Sequence, residues 1–337
     1  MDRIFQVLNT YRSHLLHLEN VVGVGVGCKI VGGECTNTKA ICVLVTKKQP
    51  VDELRQVMVV PKRLGDQATD VIEIGEVRLL SRTERERPAR PGMSIGHYAI
   101  TAGTFGCVVR DNRLGTHLIL SNNHVLANMT NGRDGRAQVG DEIYQPGRHD
   151  GGTSSDVIAR LLRWVPIHRE IVTPSCAIAK SCETAANALI QLVKPAYQVY
   201  LVKRMQRDNL VDAAVAQPVS TDVVSQHIID IGVPRGTAVP SLGMKLQKSG
   251  RTSGYSTGNV MVIGATIRVL MGDIGFASFS EQIVTSPMAE PGDSGSLMLD
   301  ESTRAVGLLS AGSDKATIAG TIRNVESLLG VSMLTAH

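Results

Sequence analysis

The stretch Pro291-Gly292-Asp293-Ser294-Gly295-Ser296 has the residue types that nucleophilic chemistry needs. A serine hydroxyl is a poor nucleophile until a neighbouring base takes its proton. Small residues on both sides let the backbone turn sharply and leave Ser294 accessible. They also let the amides of Gly292 and Ser294 converge on one point, where a developing oxyanion would sit. The G-x-S-x-G elbow of the α/β-hydrolases is excluded, because Ser296 stands where its second glycine belongs.

The remaining pattern, Gly-Asp-Ser-Gly, resembles that of the chymotrypsin-like serine proteases. That family carries its general base at the end of an apolar strand that runs into a polar turn. Leu118-Ile119-Leu120-Ser121-Asn122-Asn123-His124 has this form, so the resemblance makes His124 the base. The third member of such a relay orients the imidazole and stabilises its charged form. Asp212, followed by Ala213, Ala214 and Val215, matches the family's Asp-x-Ala-hydrophobic segment. Asp156 also heads an apolar strand and stays open as a rival, although it follows His124 too closely to leave room for a first barrel. By the same resemblance, Met288 would lie at the floor of the pocket for the side chain preceding the scissile bond. It carries no charge, so an apolar or small side chain is expected there. Ser310 and Gly312 would offer backbone groups to an extended substrate, which adds as a strand.

These side chains need a scaffold. The 337 residues are 43% hydrophobic and 20% charged, with 33 glycines and only 3% aromatics. Many short Val/Ile runs between glycines suit an all-β architecture with frequent turns. Strands are expected at 98–101, 106–110, 117–121, 142–144, 156–163 and 212–216, forming a first barrel over 94–230. A second series at 236–239, 245–249, 258–268, 275–277, 281–285, 296–299 and 305–310 forms a second barrel over 231–337. The Ala/Leu-rich segment within 165–206 reads as a helical insertion whose apolar face needs a cover. Ahead of the barrels, Ile4, Leu8, Tyr11, Leu15 and Leu18 mark one helix face. With the strands at 21–30, 40–45 and 71–74 they make a small α+β domain over 1–81. The charged, proline-bearing stretch 82–93 reads as a linker. The expected class is therefore mainly β: a trypsin-like double β-barrel preceded by a small α+β N-terminal domain.

Composition narrows the rest. A net charge of +4 without a dense Lys/Arg block does not suggest nucleic-acid binding. No run of about eighteen apolar residues is present, so no membrane partner is expected. Residues 1–20 lack the continuous apolar core of a signal peptide, and the scattered Cys28, Cys35, Cys42, Cys107, Cys176 and Cys182 read as reduced thiols, which gives a cytoplasmic expectation. Glycines 23, 25 and 27 are not a dinucleotide fingerprint, because Cys28 takes the final glycine's place. Neither metal nor organic cofactor is expected.

Quoted along the whole chain, Val22–Gly27, Thr69–Ile72, Thr101–Gly106, Ser121–His124, Val211–Ala214 and Gly292–Gly295 are similar to segments of bacterial relatives of the plant narrow-leaf (NAL) proteases. That likeness implies a serine endopeptidase acting on protein or peptide, working as a homo-oligomer. A second reading is an oligomeric regulatory or binding protein whose protease centre is silent or cleaves only itself. The N-terminal unit and the helical insertion, which the chemistry does not require, motivate it.

Overall fold

The computed structural model describes residues 3–55, 58–75, 81–172, 176–204 and 208–335. The chain divides into two compact units, 1–80 and 81–337.

In the first unit, helix α1 (Arg3–Leu16) turns Ile4, Leu8 and Leu15 inward. They pack with Leu18 onto Ile41, Val43, Val45 and Leu64 of the sheet. That sheet has the order β1-β2-β4-β3, from β1 (Val21–Val31), β2 (Glu34–Val45), β3 (Arg63–Leu64) and β4 (Gln67–Glu73). β1 and β2 form an antiparallel hairpin, and β2 runs parallel to β4. Cys28 and Cys35 are joined by a disulfide across this hairpin, with Cα atoms 5.7 Å apart. The expectation of six reduced thiols is thereby corrected for this pair, since hairpin register rather than sequence spacing brings the two sulfurs together.

The second unit is mainly β and is built in two halves, of which the second closes into a barrel. Its first half contains β5 (Ser94–His97), β6 (Gly103–Thr104), β7 (Cys107–Asp111), β8 (His117–Ser121), the short helix α2 (Asn123–Leu126), β9 (Glu142–Tyr144) and β10 (Val157–Trp164). The insertion follows, with β11 (Ile171–Val172), α3 (Ala177–Val193) and β12 (Lys203–Arg204), and then β13 (Ala214–Pro218). The second half contains β14 (Lys245–Gly250), β15 (Gly254–Leu270), β16 (Phe276–Thr285), β17 (Leu297–Asp300), β18 (Ala305–Gly312) and β19 (Thr317–Thr321). Helix α4 (Ile322–Leu329) and β20 (Val331–Met333) end the unit.

β14 to β19 close into a barrel, in the order β14-β15-β16-β19-β18-β17. The first half is an eight-stranded sheet, β20-β7-β8-β13-β10-β9-β5-β6. Its outermost strand is β20, which comes back from the C-terminal end to pair with β7. The boundary at 231 is therefore corrected: β20 belongs to the first half's sheet, and Ile322, Val325, Leu329 and Val331 pack into a core that both halves share. Segment 98–101 is a turn and not a strand. Segments 275–277 and 281–285 belong to one strand, β16.

Residues 82–93 are not a free linker. Arg82 is bonded to Ser249 and to Asp230, and Arg87 donates to the Gln145 side chain and to its carbonyl at 3.1 Å. The buried Ala89 exchanges backbone bonds with Val223 and Ser225, 2.8 Å each. Arg85 pairs with Asp156 and Arg90 with Glu86, so much of the charge that makes this stretch look solvated is held in place. In the insertion, of which residues 173–175 and 205–206 lie outside the described residues, α3 has no buried residue. Ile178, Leu189, Leu192 and Val193 stay exposed, so the barrel does not supply the cover its apolar face was expected to have.

Candidate active site

β8 is an apolar strand held between β7 and β13, and it ends where Ser121 pairs with Ala214. Beyond that pair the two chains continue side by side, His124 on one and Asp212 on the other. Ala213 and Ala214 are fully buried, and their small size lets the strands approach closely. Asn122 and Asn123 lock the turn: the first donates to the Asp212 carbonyl at 2.7 Å, the second to the Thr130 and Val165 carbonyls at 2.9 and 2.8 Å.

The result is a close pair. His124 Nδ1 lies 2.5 Å from Asp212 Oδ2, and the His124 amide donates to Asp212 Oδ1 at 3.1 Å. An ionised carboxylate only accepts, so Nδ1 carries the proton and Nε2 is left as the basic nitrogen. The Asp212 side chain is 1% exposed, the His124 side chain 23%. The rival Asp156 sits elsewhere. It closes a capping box with Thr153 and pairs with Arg85 at 3.1 Å.

Ser294 is carried by the loop between β16 and β17. This loop is stitched to the first half: the Thr104 amide donates to the Ser294 carbonyl at 2.8 Å, and Thr104 Oγ1 to the Gly292 carbonyl at 2.9 Å. Gly295 has φ +95°, and a Cβ there would stand 2.1 Å from Ser121 Oγ and 2.5 Å from the Thr104 carbonyl. Gly103 adjoins both Val125, next to His124, and the Ser294 carbonyl. These close approaches put the serine loop against the strand end that carries His124. The Ser294 hydroxyl itself faces the Ser310 carbonyl at 3.4 Å, and among the described residues no hydrogen bond joins it to His124. The amides of Asp293, Gly295 and Ser296 donate to Glu290, Leu309 and Asp293. Among the described residues, those of Gly292 and Ser294 donate to no protein atom, which leaves two adjacent donors for an oxyanion.

Beneath the loop lies a buried ion pair that the sequence reading did not single out. Lys248 Nζ is 2.8 Å from Asp293 Oδ2, and both side chains are 0% exposed. Asp293 also accepts from the Thr252 and Ser253 amides, from Ser253 Oγ and from the Glu290 amide, at 2.5–3.1 Å. Burial pushes the Asp293 carboxyl up, but the bonds from Lys248, Ser253 and Glu290 outweigh it and hold the group below the usual carboxylate range. Burial pulls Lys248 below the usual range for lysine, with Asp293 opposing.

Met288, expected at a pocket floor, is buried and packs with Leu246, Val260, Ile283 and Met298 of the second barrel. Ser310 and Gly312 lie near the end of β18, where the ladder with β17 has already stopped at Leu308. Their open edge faces the Ser294 side.

No family model matches the chain. It is 41% identical over 80 residues to serine protease 2 of Streptomyces fradiae, a stretch of 24% of this chain and 43% of that protein, so it spans less than half of that relative's length. Among solved structures it is similar to Thermobifida fusca protease A (16% identity, 73% of this chain and 98% of that one, TM-score 0.45). It is also similar to Cellulomonas bogoriensis chymotrypsin (14% identity, the same coverages, TM-score 0.44).

Proposed function

We propose that the protein is a serine endopeptidase. The observation that carries this reading is the His124–Asp212 pair, 2.5 Å between Nδ1 and Oδ2, set beside a serine loop with two unpaired amides. In this mechanism Ser294 Oγ turns from the Ser310 carbonyl toward His124 Nε2, which takes its proton as Oγ attacks the peptide carbonyl. Asp212 stabilises the imidazolium and fixes its ring. The Gly292 and Ser294 amides hold the oxyanion. The imidazolium then gives its proton to the leaving amine, and water, deprotonated by the same nitrogen, hydrolyses the acyl-enzyme. The substrate backbone lies along the open edge at Ser310–Gly312.

Labelling by a fluorophosphonate probe tests the proposal. Wild type should be labelled and Ser294→Ala should not, while kcat for peptide cleavage falls by about 10⁶-fold. Peptidase activity that survives Ser294→Ala would refute the mechanism. An unlabelled wild type would instead favour a regulatory or binding protein. Self-association is part of the proposal, and the uncovered apolar residues of α3 support it.

A further inference from the structure

Beside His124 opens a groove of about 600 Å³, lined by Ile100, Thr101, His124, Arg136, Arg148 and His149 among others. Its charge is one-sided. The acidic lining residue Asp273 is taken up by Arg136, whose guanidinium grips it through two bonds of 2.9 Å. Arg148 has no such partner: it is exposed and donates to the Tyr98 carbonyl at 3.3 Å, with no carboxylate partner among the described residues. His149 beside it is also exposed. Asp150, the acid that faces His149, is occupied by Arg251 and by Ser94 Oγ at 2.5 Å.

The turn that carries Arg148 and His149 is fixed. The His149 amide donates to the Thr101 carbonyl at 2.9 Å, and Asp150 ties the turn to Arg251. Arg251 in turn borders Gly292, where an added Cβ would meet its guanidinium at 2.6 Å. The groove thus includes the His124 imidazole, and the turn at its edge is tied through Arg251 to the loop that carries Gly292. None of its lining residues belongs to β18, the edge expected to hold the acyl side of a substrate. On the peptidase reading, the side of His124 away from β18 is the one that receives the leaving group.

Resting on the peptidase reading, we propose that this groove binds an acidic side chain of the substrate within the first two residues after the scissile bond, with Arg148 as its main partner. A planar guanidinium with open donors suits a carboxylate. The site is open to solvent, so the preference is modest and weakens with salt.

Internally quenched peptides that differ only at those two positions, carrying Glu, Gln or Lys, test the inference. At low salt, kcat/KM should favour Glu over Gln by about 5-fold. The ratio should approach one in Arg148→Gln, invert toward Lys in Arg148→Glu, and stay put in the remote Arg113→Gln. A wild-type ratio near one, or a Glu preference that persists in Arg148→Glu, overturns the proposal. A second arm separates it from the peptidase reading. Fluorescein-labelled peptides beginning Glu-Glu or Gln-Gln are titrated into Ser294→Ala and followed by anisotropy. If wild type cuts no peptide, the peptidase reading falls, yet tighter binding of the Glu-Glu peptide that Arg148→Glu abolishes still sustains the groove. Equal binding of both peptides overturns it.

Discussion

The half of the fold that carries His124 fixes its carboxylate, Asp212, directly against the imidazole and its backbone amide. The half that carries Ser294 also has a buried carboxylate, Asp293, but it points away from the chemistry, into Lys248 and the Thr252–Ser253 turn. Both acids are nearly inaccessible to water. One holds the imidazole that we propose as the base. The other holds the loop whose free amides we propose as the oxyanion donors. The difference teaches that burial of an acid in this fold does not by itself mark a catalytic residue. What its oxygens face does.

Substitution should separate the two roles. Asp212→Asn keeps the shape of the side chain, so the fold should survive with little change in denaturation midpoint. Its amide forces the wrong imidazole tautomer, and kcat should fall by about 10⁴-fold. Asp156→Asn, in its capping box away from the imidazole, should change kcat by less than about threefold, as surface caps act on stability in small increments. Steady-state cleavage of one peptide by both variants decides the acid. An Asp156→Asn defect as deep as that of Asp212→Asn would erase the distinction drawn here.

In the other half the order reverses. Lys248→Met leaves Asp293 buried without its cation, which costs about 3–5 kcal/mol of stability. Urea denaturation should show that loss, and adding Asp293→Asn to Lys248→Met should recover part of it. If Lys248→Met lowers stability by less than about 1 kcal/mol, the ion pair does not hold the loop, and the contrast between the halves is lost.

How much of this the sequence discloses follows the same division. The His124 segment is legible as an apolar strand that ends in a polar turn, and the Asp212 segment as an acid heading a short apolar strand whose small alanines mark where strands come close. Ser294 is legible because glycines flank it, and Gly295 has a positive φ and no room for a Cβ. Lys248 is not singled out, although a signal exists. β14 alternates, and Lys248 shares the inward side with the buried Leu246, so a lysine there needs a buried partner. Residues 82–93 mislead because a charge run looks alike whether solvated or matched by distant groups such as Gln145 and Asp230. Cys28 and Cys35 mislead because only the hairpin register brings them together. Arg148 and His149 escape notice because the groove is assembled from turns that are distant in the chain.

Acid sharpens the comparison further. The Asp293 carboxyl lies below its ordinary range in the folded protein, so below about pH 4 the unfolded chain binds the proton first. The stability it contributes is complete above that range and is lost as pH falls through the folded value. Urea midpoints at pH 5 and pH 3 should therefore drop more in wild type than in Asp293→Asn. The difference between the two proteins belongs to the loop-holding acid. Equal losses in the two proteins would assign the acid sensitivity to other held carboxylates, such as Asp150 beside Arg251 or Asp111 beside Arg163.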